Sequence, residues 1–316
     1  MKKAKAPQRE KAGGKELRKF YTILSQEKLA AVLPWFCLAA AYLAAVLFHL
    51  IYGKQLLNSD MSAEILLAKQ LLEKGEFVLS SDWYYSTEIW VLNRHLTLCL
   101  GLLLFPHNWH FARTFSQAIM LAMHAGSYLF LTHECGLKRI GVYSAAILMC
   151  PFGFWYMWYG TYNGSYLSFM IFVSVGLALA LHFARKGKHS GVCLFLMLLL
   201  AFLQGLSGVR MLMNLYIPLL AACVLALAVR IQKAPFEKPW RSMPEIRLGV
   251  VTALSSVACG AGYLINTGVL SRYYTFEIYS QNQYWRDFDL DLVLNIWGKF
   301  LSLFGYPTGP YWSAIA

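Results

Sequence analysis

Asp60, Glu88, Arg94 and His95 fall in one stretch of the chain, with Trp83, Tyr84, Tyr85 and Trp90 set among them. A carboxylate can take the proton from an attacking hydroxyl. An arginine grips phosphate oxygens with two parallel N–H donors. Aromatic faces stack on the apolar faces of a sugar while a neighbouring acid bonds its hydroxyls. These residue types suit chemistry on a phosphate-borne sugar. Each also has an ordinary structural reading. In "SDMSAE", Asp60 or Ser62 fits the cap of the helix that follows. The aromatics fit an interfacial belt. Arg94 fits an ion pair with Asp60, Asp82 or Glu88, or a side chain snorkelling to water.

Two further arginines stand where an apolar chain has few cations: Arg113 at the end of "NWHFAR", and Arg210 in "SGVRMLMN". Both are candidates for holding a lipid phosphate, as are Arg94 and His95, because a cation at membrane depth is costly without a partner. Asn163, in the aromatic stretch "WYMWYGTYNGSY", adds a polar group to a plausible binding surface, and Asn163-Gly164-Ser165 matches a glycosylation sequon. His107 and His110 fit structural roles better than metal ligation. No phosphate-binding glycine loop, HExxH, GxSxG or zinc-spaced Cys/His set occurs. Nucleotide hydrolysis, zinc proteolysis and serine hydrolysis therefore have no support. The seven cysteines (37, 99, 135, 150, 193, 223, 259) lie in or beside apolar runs and read as small hydrophobes.

The elements that must position these groups follow from composition. With 58% hydrophobic and 14% charged residues, the chain is more apolar than soluble domains, which average about 45–50% and about 25%. Apolar runs suited to crossing about 30 Å of hydrocarbon lie at 29–51, 114–132, 140–158, 166–184, 190–206, 212–229 and 248–268. The run 91–105 is short and carries Arg94 and His95 near its start. Leaving it in the outer interface puts the basic segments 1–28, 133–139, 185–189 and 230–247 on one side. That arrangement obeys the positive-inside rule, and a crossing there would break it twice.

The sequence thus predicts an all-α, polytopic transmembrane helix bundle of about seven spans, with a long outer first loop, 52–113, carrying amphipathic interfacial helices. In "AEILLAKQLLEKG", Ile65, Leu67, Ala68, Leu71 and Leu72 share one face, and Lys69, Gln70, Glu73 and Lys74 the other. The expected layout is a basic cytoplasmic segment 1–28, a membrane module 29–268, and an outer C-terminal segment 269–316 of shortened form, in which Tyr274, Tyr279 and Trp285 offer stacking rings. The net charge of +12 clusters between spans, as topology signals and anionic-lipid contacts do, so no nucleic-acid partner is expected.

The order of features, and above all "SDMSAEILLAKQLLEKGEF" and "HFARTFSQAIMLAMHAGSYLFLTHECGLKR", resembles the GT-C superfamily of polyprenyl-phosphate-sugar glycosyltransferases. The relatives it resembles are the protein O-mannosyltransferases and lipid A aminoarabinose transferases. The resemblance covers roughly 28–268 and implies a seven-span module with Asp60 as the first-loop catalytic acid and Glu88 near the family's second acid. It implies an inverting sugar transfer on the outer face, from a polyprenyl-phosphate-linked donor to a lipid, glycan or protein acceptor. Asp60 would act as general base, Glu88, Tyr84, Tyr85 and Asn163 would orient substrate, and Arg94, His95, Arg113 or Arg210 would hold the lipid phosphate. The implied setting is a bacterial plasma membrane with a cytoplasmic N-terminus. Met61 stands where the family often has a second acid, and "YGTYNGSY" carries none, so no metal or other cofactor is expected. The alternative is a non-catalytic membrane protein of the same fold: a lipid-linked-sugar transporter or a scaffold subunit.

Overall fold

The computed structural model describes residues 9–85, 89–150, 153, 156–162, 164–185, 190–233, 243–276 and 289–302. The regular elements among the described residues are all helices, and the one extended pairing among those residues is a bridge between Tyr85 and Phe276. The helices are α1 (Arg9–Tyr52), α2 (Ser59–Lys74), α3 (His95–Leu104), α4 (Trp109–Glu134), α5 (Lys138–Leu148), α6 (Gly164–Ala184), α7 (Ser190–Gly205), α8 (Ile217–Lys233), α9 (Pro244–Gly268) and α10 (Leu290–Ser302). Short π-helical turns, Met157–Tyr162 and Leu212–Tyr216, lead into α6 and α8.

Four helical stretches among the described residues are long and apolar enough to cross a membrane: Lys28–Tyr52, Tyr166–Ala184, Leu212–Gln232 and Pro244–Arg272. The other expected spans fall on less regular elements. The segment 114–132 lies on α4, which buries Ser116, Gln117 and His124 and is correspondingly polar. The segment 140–158 is split, because α5 ends at Leu148, and 190–206 falls on the 16-residue α7. The run 91–105 contains α3, a helix of 10 residues.

Contacts near the helix ends fix the arrangement. His49, near the end of α1, meets Thr114 at the start of α4, whereas Glu134 at the end of α4 meets His182 at the end of α6. Arg247 at the start of α9 donates to the carbonyl of Ala184, and Asn266 near its end donates to Leu206. One end of the bundle thus gathers the end of α1, the starts of α4 and α6, and the ends of α7 and α9. The opposite end carries Lys138, Arg139, Arg185, Arg230 and Arg247.

Over the first end lies α2. Its apolar face packs on protein: Ile65 and Ala68 pack with Leu98, Leu102 and Ala112, while Leu67 and Leu71 pack with Tyr85 and Ile89. Its start differs from the sequence expectation. The cap is Asn58, whose side chain accepts from the Met61 amide at 2.9 Å, so Asp60 and Ser62 stand inside the first turn. Ser62 donates to the Asn58 carbonyl instead, and the cap leaves the Asp60 carboxylate exposed to water.

The tightest packing joins α7 and α9. At Gly205 a Cβ would meet the carbonyl of Cys259, and at Gly262 it would meet the carbonyl of Phe202 and backbone of Leu206. Small residues allow this approach, and packing between apolar helices in a membrane depends on it. A Gly262→Leu substitution is expected to force α7 and α9 apart and to cost about 2–3 kcal/mol, in the range of overpacked cores. Thermal unfolding of the detergent-solubilised variant against wild type measures it.

Candidate functional site

The segment from Ile89 to Arg94 threads into the gathered end of the bundle, and each part of it is tied to a different helix. The Ile89 carbonyl accepts from Asn266 Nδ2 at 2.9 Å, and the Leu92 amide donates to Ser207 Oγ at 3.0 Å. Asn93 Oδ1 accepts from Ser168 Oγ at 3.0 Å. Arg94 follows, fully buried, with its Nη1 3.8 Å from Glu64 Oε2. That separation is an ion pair rather than a hydrogen bond. Arg94 lies against Gly164, where any Cβ would strike its Cδ.

Around this pair gather Arg113, His49, His110 and Tyr162. Arg113 Nη1 donates to the Gly53 carbonyl at 3.2 Å and Nη2 contacts Met61 Sδ at 3.4 Å. The π-helical turn before α6 brings in Tyr162, whose hydroxyl donates to the same Gly53 carbonyl at 2.7 Å, and whose ring stacks on His49. The Thr114 hydroxyl donates to the His110 carbonyl, so His49 Nδ1 must donate to Thr114 Oγ1. His110 Nε2 donates to the Leu50 carbonyl at 2.6 Å. His49 Nε2 and His110 Nδ1 are left without a hydrogen-bond partner in the cluster. Burial lowers the Arg94 guanidinium to about 10, against the pull of Glu64, so it remains a cation at neutral pH.

A second group lies at the same end but is open to water. Tyr166 is 38% exposed, and Arg210, Tyr159 and Asp60 all act on its hydroxyl electrostatically. Tyr159 meets the Tyr166 ring edge-on at 5.0 Å. Arg210 lies over the faces of Trp90, at 5.4 Å, and Phe169, at 5.8 Å. Trp90, Phe169, Phe172, Gln204, Ser207 and Arg210 line a narrow cleft beside it. An acid, a cation and stacking rings thus share one surface.

The sequence candidates divide accordingly. Asp60 and Arg210 belong to the open group, and Arg94 and Arg113 to the buried one. His95 stands apart, bonded to the Val78 backbone, and desolvation lowers it to about 4, so it is a neutral ring at physiological pH. Tyr85 is buried: its hydroxyl accepts from the Ser80 amide, its own amide donates to the Thr275 carbonyl, and burial raises it to about 12. It anchors the first loop to the segment after α9, where Tyr274 meets it edge-on. Tyr84 is exposed. Glu88, Asn163, Tyr279 and Trp285 lie outside the described residues. Arg94 pairs with Glu64, and Asp82 pairs with Lys74.

The sequence reasoning passed over Glu64, although its signal was present: Glu64, Ala68 and Leu71 share one helical stripe, and an acid on an otherwise buried stripe needs a partner. Tyr162 and Tyr166 gave no such signal, because π-helical turns shift the register that would have placed them. Comparison with protein-family models, curated proteins and solved structures gave no match to the chain.

The state of His95 gives a pH test. Its folded value of about 4 lies below the ordinary 6.5, so between these values the unfolded chain binds the extra proton. Stability should fall as pH drops through that window, by about 3 kcal/mol in all. Unfolding in detergent at pH 7 and pH 4.5 should show a shallower acid loss for His95→Asn than for wild type.

Proposed function

We propose that the chain is a membrane glycosyltransferase that crosses the bilayer about seven times and uses the Asp60–Arg210 surface on the outer face. The reading is supported above all by one observation: Asp60 and Arg210, far apart in sequence, both act on Tyr166 at the open end of the bundle. The basic opposite end agrees with a cytoplasmic placement there.

In the proposed reaction Asp60 takes the proton of an acceptor hydroxyl as its oxygen attacks the anomeric carbon of a polyprenyl-phosphate-linked sugar. The new C–O bond forms as the bond to phosphate breaks, with inversion. The electron pair leaves on the lipid phosphate, whose growing charge faces Arg210. Tyr159, Tyr166 and Trp90 offer ring faces to the sugar. The donor carries its own leaving group, so the reaction calls for neither nucleotide nor metal. Glu88, in the same loop of the sequence as Asp60, is assigned by this reading to orient donor or acceptor hydroxyls.

The test is transfer of labelled sugar from polyprenyl-phosphate donors by purified protein in nanodiscs. Wild type should transfer. Asp60→Asn should lose about 10²–10⁴-fold, and Arg210→Gln about 10²–10³-fold. Unchanged transfer by a folded Asp60→Asn variant removes the catalytic assignment. Saturable donor binding without transfer by wild type, across a broad acceptor panel, favours the non-catalytic alternative.

A further inference from the structure

The buried cluster beneath α2 has a charge imbalance that sugar transfer does not use. The Arg94 side chain is 1% exposed, and its Nε, Nη1 and Nη2 all lack a hydrogen-bond partner. Arg113, 4% exposed, uses Nη1 and Nη2 on Gly53 and Met61, and its Nε has no partner either. Among the described residues the one carboxylate paired with these arginines is Glu64. His49 Nε2 and His110 Nδ1 also lack a hydrogen-bond partner, and an imidazole supplies no negative charge to balance the arginines.

Among the described residues, two guanidinium groups therefore face one carboxylate in a region closed to solvent. Arginine does not give up its proton to relieve such an imbalance. A water molecule can satisfy the orphan donors, yet it leaves the excess positive charge in place. An anion corrects both the charge and the donors. The donors come from α4 and from the residue that opens α3, two rigid elements, and the acid comes from α2, so an anion here would tie α2 to the bundle.

We propose that the junction of Arg94, Arg113 and Glu64 binds one small inorganic anion, chloride or a tetrahedral oxyanion such as phosphate, as a structural counter-ion beneath α2. The burial of both arginines leaves no route for a lipid tail, which separates this site from the open Arg210 surface. The inference is independent of the proposed transfer reaction.

The experiment is thermal unfolding of the detergent-purified chain, exchanged into sodium gluconate and titrated at constant ionic strength with sodium chloride or sodium phosphate. Binding to the folded state alone predicts a saturable rise in Tm, on the order of 5 °C at large excess, for at least one of the two ions. Arg94→Gln and Arg113→Gln should lose the response, and Arg210→Gln should keep it. Should Arg94→Gln fail to fold, Arg113→Gln and Arg113→Lys decide: the first should abolish the response, and the second should weaken it. No saturable shift with either ion, a shift that persists in Arg113→Gln, or stabilisation by polyprenyl phosphate alone overturns the proposal. Failure here would leave the Asp60 assay untouched, and loss of transfer in that assay would leave this site untouched.

Discussion

Burying Arg94 is the constraint on which the functional end of the molecule depends. Removing a guanidinium from water costs several kcal/mol unless opposite charge and hydrogen bonds replace the hydration. Glu64 supplies the charge, which fixes α2 above the bundle, and Gly164 supplies the space, which fixes the start of α6. The segment before Arg94 can then be held by Asn266, Ser207 and Ser168. Four distant parts of the chain meet because one cation is buried there.

Once α2 is fixed, Asp60 has a defined place. Asn58 takes the capping role, so the Asp60 carboxylate is left exposed in the first turn, where the helix dipole favours its negative charge. It lies within electrostatic reach of the Tyr166 hydroxyl, as do Tyr159 and Arg210. The molecule thus separates two uses of arginine. Arg94 and Arg113 hold structure in a closed region, whereas Arg210 lies over the rings of Trp90 and Phe169 beside a narrow cleft.

Much of the architecture was legible because hydropathy and helical periodicity are local properties. The helix bearing Ile65, Ala68 and Leu71 could be read from spacing, and the short helix after Arg94 from the length of its apolar run and the placement of basic segments. So could the all-helical class. The destination of the apolar face of α2 could not, since periodicity does not say whether protein or lipid covers it. The cap was misread because Asn58, Asp60 and Ser62 all suit the role, and only backbone geometry chooses among them. The Glu64–Arg94 pair and the grouping of Asp60 with Arg210 are contacts between distant segments, which no local pattern encodes. The same holds for Tyr162, whose position depends on a π-helical turn.

The central claim is that Asp60 lies on the outer face, within a site that takes a polyprenyl-phosphate sugar. Asp60→Cys, in a background with the exposed Cys135 and Cys150 changed to serine, can be labelled with a membrane-impermeant maleimide in right-side-out vesicles. The account predicts labelling without permeabilisation, and protection by a polyprenyl-phosphate-linked sugar. Labelling only after permeabilisation, or labelling that no such donor slows, would contradict it.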